Sequence, residues 1–235
     1  SDVYKRQPPG FTITTEVCNK YYENGRKLPK DVRPAVMKNI VKMEKKTGKK
    51  WNSTKNPLLV SVRSGAAISM PGMMDTILNL GLNEKTVEGF AVQTKNPRFS
   101  WDSYRRFIQL FGKVVFGVND EKFDHVLDSA KAKQGVTDDS KLNVESLKKI
   151  VAEYKKICEE HTKRKFPDTP NEQLGLAIEA VFKSWMGERA VVYREKNGIT
   201  KDIANGTAVN VVTMVFGNMG DDSATGVVFT RNGHN

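Results

Sequence analysis

The sequence predicts an α+β fold, because apolar, β-branched runs occur towards both ends of the chain and a long helical block lies between them. The runs lie at 8–17, 58–62 and 207–216, each with the length and composition of one strand. Between 98 and 166 the apolar residues instead recur every three or four positions, as on the buried face of a helix. The chain of 235 residues is long enough for one large domain or two small ones with a real core.

The first third of the chain predicts a strand, a helix and a second strand. Residues 8–17 have the pattern of a turn that enters a strand. At 29–47 the apolar residues follow helical spacing with lysines on the other face, and Gly48 suits the end of that helix. The apolar run at 58–62 is long enough for one buried strand.

The stretch that follows contains the first candidate site. Arg63 stands at the end of the strand, and a small-residue loop with Pro71 and Gly72 comes next. A fixed cation beside such a loop suits an anion, although an ordinary structural arginine fits the same spacing. A helix that ends near Gly81 is then predicted by the spacing of four apolar residues, Met73, Met74, Ile77 and Leu78.

The block at 98–166 is predicted to be entirely helical. Ser100 and Asp120 are candidate caps for its first two helices, and Gly135 suits the end of the second. A polar linker follows at 135–143, and then a third helix whose apolar face ends near residue 157.

A further helix and three strands are predicted after this block. The helix begins with a capping hydroxyl, a proline and an acid, Thr169, Pro170 and Glu172, and Gly187 ends it. The last two strands form a hairpin, whose loop is either a surface turn or a flexible cover that closes over phosphates with its backbone N–H groups. The strands are predicted at 189–199, 207–216 and 223–230, with the turn at 217–222.

Composition indicates a water-soluble, basic protein. Hydrophobic residues are 38% and charged residues 28% of the chain, and no apolar run has the length of a membrane span. The formal charge is +11, and residues 20–50 hold 11 Lys or Arg against 3 acids. No aromatic residue alternates with the lysines of the helix at 29–47, so we interpret them as a solvated face and keep a nucleic-acid-binding module as a remote alternative.

Other common sites and signals are missing from the sequence. It has no P-loop, no G-x-S-x-G, no Cys–His nucleophile pattern, no zinc spacing and no visible signal peptide. Cys18 and Cys158 lie far apart, which suggests a reducing compartment, and we expect a cytoplasmic protein or, in a eukaryote, an organellar one. We interpret the remaining candidates as packing or solvated residues, namely His125, His161, Asp221 and Asp222.

Four stretches are distinctive, and in this order and spacing they resemble the nucleotide-binding domain of the pyruvate, phosphate dikinase family. They are PPGFTITTEV, SVRSGAAISMPGMMDTILNLGLN, RAVVYR and GTAVNVVTMVFGNMGDDSATGVVFTRN. The resemblance covers residues from about 8 to 232. It implies an ATP-grasp fold, in which ATP lies between two α+β lobes. On this resemblance the first lobe is formed by residues 8–97 and 167–212, and residues 98–166 are a helical insertion in it. Residues 213–235 are the start of an incomplete second lobe.

The resemblance implies an enzyme that converts ATP, phosphate and pyruvate to AMP, pyrophosphate and phosphoenolpyruvate. It implies magnesium, and a transfer of the β-phosphoryl group of ATP to a histidine on a separate, swivelling domain. The parent enzyme is expected to be a homo-oligomer, without nucleic acid or membrane as a partner. Phosphoenolpyruvate synthase and glucan water dikinase have a similar ATP-binding domain and stay as alternatives.

The resemblance also implies which residues bind ATP. Arg63 contacts the phosphates and stabilises charge during transfer, so it is the catalytic candidate. The backbone of Gly72 approaches the nucleotide, and the strand at 211–215 lines the adenine. At Val212 the family has a glutamine that reaches the nucleotide, whereas this chain has valine. The implied ATP-binding residues are Arg63, Gly72, Thr213, Met214, Val215, Thr225 and Gly226.

Some of the family's site is expected to lie outside these residues. In the family, a segment with an ATP-contacting lysine precedes PPGFTITTEV. Residues 1–7 of this chain do not match that segment, so Lys5 is not given the role of the lysine. We expect residues 1–7 to be foreign to the protein or disordered. The metal-binding acids and the phospho-acceptor domain are expected downstream, and His234 is not the acceptor. We therefore expect this chain alone to bind ATP poorly and not to complete the transfer.

Overall fold

A computed structural model describes residues 7–68, 70, 72 and 74–226 of the chain. Its described strands form one antiparallel sheet and are Gly10–Ile13 (β1), Val60–Gly65 (β2), Thr76–Leu80 (β3) and Ala208–Thr213 (β4). The strand order is β1-β4-β2-β3. The last of the described strands therefore lies inside the sheet, where it joins β1 to the strand that contains Arg63.

The helices pack against this sheet and against one another. In the described ranges none of them is both long and apolar enough to cross a bilayer. With four strands beside them, they confirm the α+β class. The helices are Thr15–Glu23 (α1), Val32–Thr47 (α2), Glu84–Thr94 (α3), Pro97–Phe116 (α4), Asp120–Gln134 (α5), Val144–Thr162 (α6), Pro170–Ser184 (α7) and Glu188–Lys196 (α8), with a short 3-10 turn at Asp139–Lys141.

One hydrophobic core joins the sheet to most of the helices. Helix α4 contacts β3, α3, α6 and α7, and α7 also contacts β2. The two cysteines, Cys18 and Cys158, are buried in the core as free thiols. The sheet and the helices at 98–166 are therefore not separately packed bodies, because the same core contains side chains from both, among them Val60, Val62, Phe107, Phe111, Leu147 and Val211.

Helices were predicted correctly where apolar residues recur at helical spacing over several turns. The C-cap of α2 is Gly48, which has a φ of 69°, and the C-cap of α5 is Gly135, which has a φ of 71°. Thr169 is the N-cap of α7, and its Oγ1 accepts a hydrogen bond from the N–H of Glu172. The third helix of the predicted block is confirmed as α6, although it extends to Thr162.

Three helix ends differ from the prediction. Asn96 and Asn119 cap α4 and α5, because each asparagine side chain accepts from a free N–H of the first turn. Ser100 lies buried inside α4 instead, with Oγ 3.2 Å from the carbonyl oxygen of Asn96. Gly187 does not end α7, which stops at Ser184, but is the residue that precedes α8.

The helix predicted from about residue 73 to near Gly81 is wrong where the structure describes it. Residues Thr76–Leu80 are the edge strand β3, and Pro71 and Met73 lie outside the described residues. Asn79 has a φ of 61°, and the register against β2 shifts beside it, so that Ile77 and Leu80 are both fully buried. Two buried residues three positions apart imitate a helical spacing, which a bulged strand also produces.

The strand predicted at 189–199 is also wrong, since Glu188–Lys196 is helix α8. Only Ala190 of this helix is buried, and the Arg194 guanidinium lies 3.9 Å from the centre of the Trp185 ring. A helix places Ala190 and Arg194, four residues apart, on the same face against the end of α7. This contact outweighs the strand preference of Val191 and Val192.

The chain also contains structure that periodicity did not predict. The first strand ends at Ile13 and gives way to α1, and α3 follows β3 after a capping box between Asn83 and Thr86. In the predicted strand at 223–230, residues 223–226 have no strand structure and the others lie outside the described residues. The predicted C-terminal hairpin is therefore not confirmed.

Candidate functional site

The central strands β2 and β4 present two different faces. Val60, Val62, Val209 and Val211 point into the core and have 0% exposure. The alternate residues of these strands lie on the opposite side, which we call the open face, and they are Ser61, Arg63, Gly65, Ala208, Asn210 and Val212. Because side chains alternate along a strand, polar residues here face away from the core.

A cleft of about 400 Å³ lies on the open face. We call it the Arg63 cleft, and its lining residues come from β2, from β4 and from the segments beside β1 and β4: Pro8, Ser61, Arg63, Asn210, Val212, Thr213, Met214 and Val215. It brings together four of the residues predicted to bind ATP, namely Arg63, Thr213, Met214 and Val215. It does not include Gly72, Thr225 or Gly226.

Arg63 is the one cation among the residues that line the Arg63 cleft. It is exposed, and its backbone pairs with Asn210 on one side and Thr76 on the other. In the described part of the chain its guanidinium makes no ion pair within 4.0 Å. A solvated guanidinium with its five N–H donors still available is suited to bind phosphate oxygens in pairs.

The end of β4 forms one wall of the Arg63 cleft. The N–H of Thr213 donates to the carbonyl oxygen of Pro9 at 2.9 Å, and the N–H of Met214 donates to that of Leu59 at 2.9 Å. Both amide donors are therefore used within the protein. Val215 follows with 73% exposure, and its N–H has no backbone partner among the described residues. A main-chain donor to a bound molecule on this wall must come from Val215.

The loop after β4 turns away from the Arg63 cleft. Phe216 packs on α3 and α4, with ring-centre distances of 5.3 Å to Phe90 and 5.2 Å to Phe99. Asn96, the cap of α4, donates to the carbonyl oxygen of Met219 at 3.0 Å. Thr225 returns beside Gly217, where a side chain would meet Thr225 Oγ1 at 1.6 Å. The loop is thus attached to the helical side, and both Thr225 and Gly226 are exposed.

Gly72 lies in the segment that joins β2 to β3. It is exposed and has a φ of 73°, a backbone conformation that favours glycine, and the space beside its Cα is open. Nearby, Met70 is buried in a small cluster with Trp185 and Ala204. The segment is therefore attached to the end of α7, and Gly72 has space on its outer side.

Acidic residues near the site do not pair with Arg63. Asp75 precedes β3 and lies 3.9 Å from Arg189. Burial raises the pKa of the Asp75 carboxyl above its usual range, and Arg189 only partly opposes this. Asp221 and Asp222 are exposed, as the sequence suggested. Among the described residues, no three His, Cys, Asp or Glu side chains come together as a metal site would require.

A larger cavity than the Arg63 cleft lies elsewhere among the described residues. It has about 700 Å³ between α2 and α7 and is lined mainly by apolar residues, including Leu28, Val36, Met37 and Leu176; we call it the α2–α7 groove. It contains none of the predicted site residues. The exposed lysines of α2 are not among the residues that line the groove, and they include Lys38, Lys42, Lys45 and Lys46.

Two polar residues of the Arg63 cleft were missed by the sequence analysis. Asn210 and Ser61 lie in strands whose other residues are mostly apolar, and no motif of known chemistry contains them. The only available signal was register, because Asn210 pairs directly with Arg63 across the sheet. That pairing depends on strand order, which a single sequence does not provide.

Comparison with known proteins adds a family match. Residues 25–235 match the family model described as pyruvate phosphate dikinase, AMP/ATP-binding domain. Similar proteins include pyruvate, phosphate dikinase of Entamoeba histolytica, 55% identical over 224 residues, and that of Clostridium symbiosum, 50% identical over 226 residues. A third is the chloroplastic pyruvate, phosphate dikinase 1 of Arabidopsis thaliana, 49% identical over 225 residues.

These alignments cover nearly all of this chain and a small part of each relative. They span 95% of the chain and 25% of the Entamoeba protein, 96% and 26% for the Clostridium protein, and 96% and 23% for the Arabidopsis protein. The chain thus spans about a quarter of the length of the curated relatives it matches.

Proposed function

The chain belongs to the pyruvate phosphate dikinase AMP/ATP-binding domain family, and from this premise we propose that it binds ATP in the Arg63 cleft. One observation carries the proposal: the cleft combines an exposed arginine that lacks an ion-pair partner in the described ranges with the exposed Val215 just beyond the end of β4. The arginine suits phosphates, and the strand end suits a flat, partly apolar base. Of the cavities described above, this one contains four of the residues predicted for ATP.

We propose that the fold is one lobe of an ATP-grasp domain. Residues 8–97 and 167–212 form the first lobe, 98–166 are a helical insertion, and 213–235 begin the second lobe. The open face supports this division, because among the described residues Arg63 is exposed there and Asn210 and Val212 are only half-buried, which leaves a surface on which ATP and a second lobe can pack. The shared core of sheet and helices supports an insertion that is packed tightly onto the lobe.

The proposed role of Arg63 follows from its chemistry. Its guanidinium is a planar cation that matches two phosphate oxygens at once. As a phosphoryl group leaves ATP, negative charge builds up on the phosphate oxygens, and a fixed cation nearby stabilises that charge. Arg63 lies on a strand in the middle of the sheet, so its backbone position does not need to be ordered when ATP binds.

The reaction of the whole protein is part of the same proposal. We assign the chain to an enzyme that converts ATP, phosphate and pyruvate to AMP, pyrophosphate and phosphoenolpyruvate by way of a phosphohistidine on another domain. A cytoplasmic or organellar homo-oligomer is expected. Among the dikinases that share such a domain, the relatives named above favour the enzyme that uses pyruvate and phosphate.

Magnesium is implied by the family, but the described residues show no cluster of ligands for it. Within the described residues there is no cluster of three or more acidic, imidazole or thiol side chains. Mg²⁺ prefers oxygen ligands that include carboxylates and phosphates. We therefore assign no metal ligand here, and no step above depends on one.

The proposal is tested by titrating the chain and its variants with ATP and measuring the binding by calorimetry or NMR. Arg63→Ala removes hydrogen bonds to charged oxygens that contribute about 1.5–3 kcal/mol, so ATP binding should weaken about ten- to a hundredfold. Arg33→Ala is the matched control, because Arg33 is an exposed arginine on α2 outside the Arg63 cleft. Equal ATP affinity in the parent chain and Arg63→Ala would contradict the proposal.

A further inference from the structure

Asn210 occupies a central position on the open face. It pairs with Thr12 of β1 on one side and with Arg63 of β2 on the other, so the three residues form a row across the sheet. Directly opposed residues in a sheet have Cβ atoms about 4.5–5.5 Å apart. A ligand atom held by Arg63 is therefore within reach of the Asn210 side chain.

The orientation of the Asn210 amide is set by Thr12. The hydroxyl of Thr12 donates to Oδ1 of Asn210 at 2.7 Å. An amide has one acceptor oxygen and one donor NH₂ group. A hydrogen-bond donor on one side of the amide therefore holds the oxygen on that side and the NH₂ group on the other. With Oδ1 bonded towards β1, the Nδ2 group points towards β2, where it lies beside Gly65.

Gly65 leaves the space that this orientation needs. A Cβ atom at position 65 would lie only 2.5 Å from Asn210 Nδ2, closer than real Cβ contacts. Any side chain at Gly65 on this face would displace the amide. Glycine at position 65 is therefore explained by the space that the Asn210 amide needs, and not by a turn or a positive φ.

The Nδ2 group is left without a partner inside the described part of the chain. Oδ1 of Asn210 accepts from Thr12, but none of the side-chain hydrogen bonds described has Nδ2 as its donor. Asn210 is only half-buried, and it lines the Arg63 cleft together with Arg63. Two N–H donors beside an exposed guanidinium form a surface for an anionic oxygen.

We propose that Asn210 is a further ATP-binding residue, whose Nδ2 donates to a phosphate oxygen that Arg63 also holds. Thr12 and Gly65 are positioning residues, since one fixes the rotation of the amide and the other leaves room for it. This inference rests on the proposed function, because it adds a second donor to the same phosphate site. No covalent step is involved.

A simpler role for Asn210 is to tie β1 to β4 through Thr12. That role affects stability and would not distinguish ligands with phosphates from ligands without them. The test therefore uses three ligands: ATP, adenosine and inorganic tripolyphosphate. It compares Asn210→Ala with Asn39→Ala, a matched control on α2 whose amide donates to Ala35 within the helix.

The expected result is a loss that follows the phosphates. Asn210→Ala should weaken ATP and tripolyphosphate binding about tenfold and leave adenosine binding unchanged, because a hydrogen bond to a charged oxygen is lost. Asn39→Ala should change none of the three. In a double-mutant cycle, Asn210→Ala and Arg63→Ala should be non-additive, because both side chains hold the same oxygen.

The positioning residues provide a second test that leaves Asn210 in place. Thr12→Val removes the hydroxyl at nearly constant shape, and it should weaken ATP binding about two- to fivefold, while Thr12→Ser should restore it. Gly65→Ala should give a loss of similar size by displacing Nδ2. Thermal unfolding of each variant checks that the chain still folds.

The outcomes separate the two proposals. If the parent chain binds ATP and Arg63→Ala weakens it while Asn210→Ala does not, this inference is wrong and the proposed function stands. An equal loss for ATP and adenosine in Asn210→Ala also overturns it, since the role is then structural. If Arg63→Ala leaves ATP binding unchanged, the proposed function itself fails.

Discussion

The two faces of the β2–β4 pair come from the same strands and differ in almost every property. On the core face, Val60, Val62, Val209 and Val211 are fully buried. On the open face the corresponding positions include an exposed arginine and a half-buried asparagine. Val211 and Val212 thus lie in different environments, although they are adjacent and both are valine.

The difference shows which part of the sheet determines the fold and which part is available for binding. The core face contacts α7 and is filled by protein atoms. On the open face, Arg63 and Asn210 have donors without partners among the described residues, and such groups need water or a ligand. The comparison can be tested by substitutions that affect one face and leave the other unchanged.

The largest expected effect is on the core face. Val211→Asp places a carboxylate where no water or cation is available, and it should lower the free energy of unfolding by about 3–5 kcal/mol. Val212→Asp, one residue along on the open face, should cost less than about 1 kcal/mol. Urea denaturation measures both, and similar losses for the two variants would show that the faces do not differ as described.

A smaller effect is expected on the open face. Val212→Gln restores the polar side chain that the family resemblance implies, and one added hydrogen bond should tighten ATP binding about two- to tenfold. Val41→Gln is the control, because Val41 is 45% exposed on α2. Calorimetry with ATP reports both variants. Weaker ATP binding in Val212→Gln would mean that the residue lies outside the nucleotide contact.

The sequence predicted those elements whose apolar spacing has a single interpretation. Helices α2 and α7 have long periods and clear caps, Gly48 and Thr169, and both are confirmed. Strand β3 and helix α8 were predicted wrongly for opposite reasons. The bulge at Asn79 gave a strand a helical spacing, and the contact between Arg194 and Trp185 stabilised a helix in a segment with two β-branched residues.

The candidate site was only partly predictable. Family resemblance pointed to Arg63, and the structure places it in a cleft with Thr213, Met214 and Val215. The role we propose for Asn210 depends on the order of the strands, because β4 comes about 150 residues after β2 in the sequence and pairs with it. Its orientation also depends on a hydrogen bond from β1, which no local pattern shows.

The most direct test of ATP binding in the Arg63 cleft is an NMR titration of the isotopically labelled chain with ATP. We predict that amide signals of β2, β4 and Val215 shift with increasing ATP, while those lining the α2–α7 groove, such as Val36 and Leu176, stay unchanged. Arg63→Ala should suppress the shifts at the same ATP concentrations. Shifts concentrated in the α2–α7 groove, with the open face unaffected, would contradict the account.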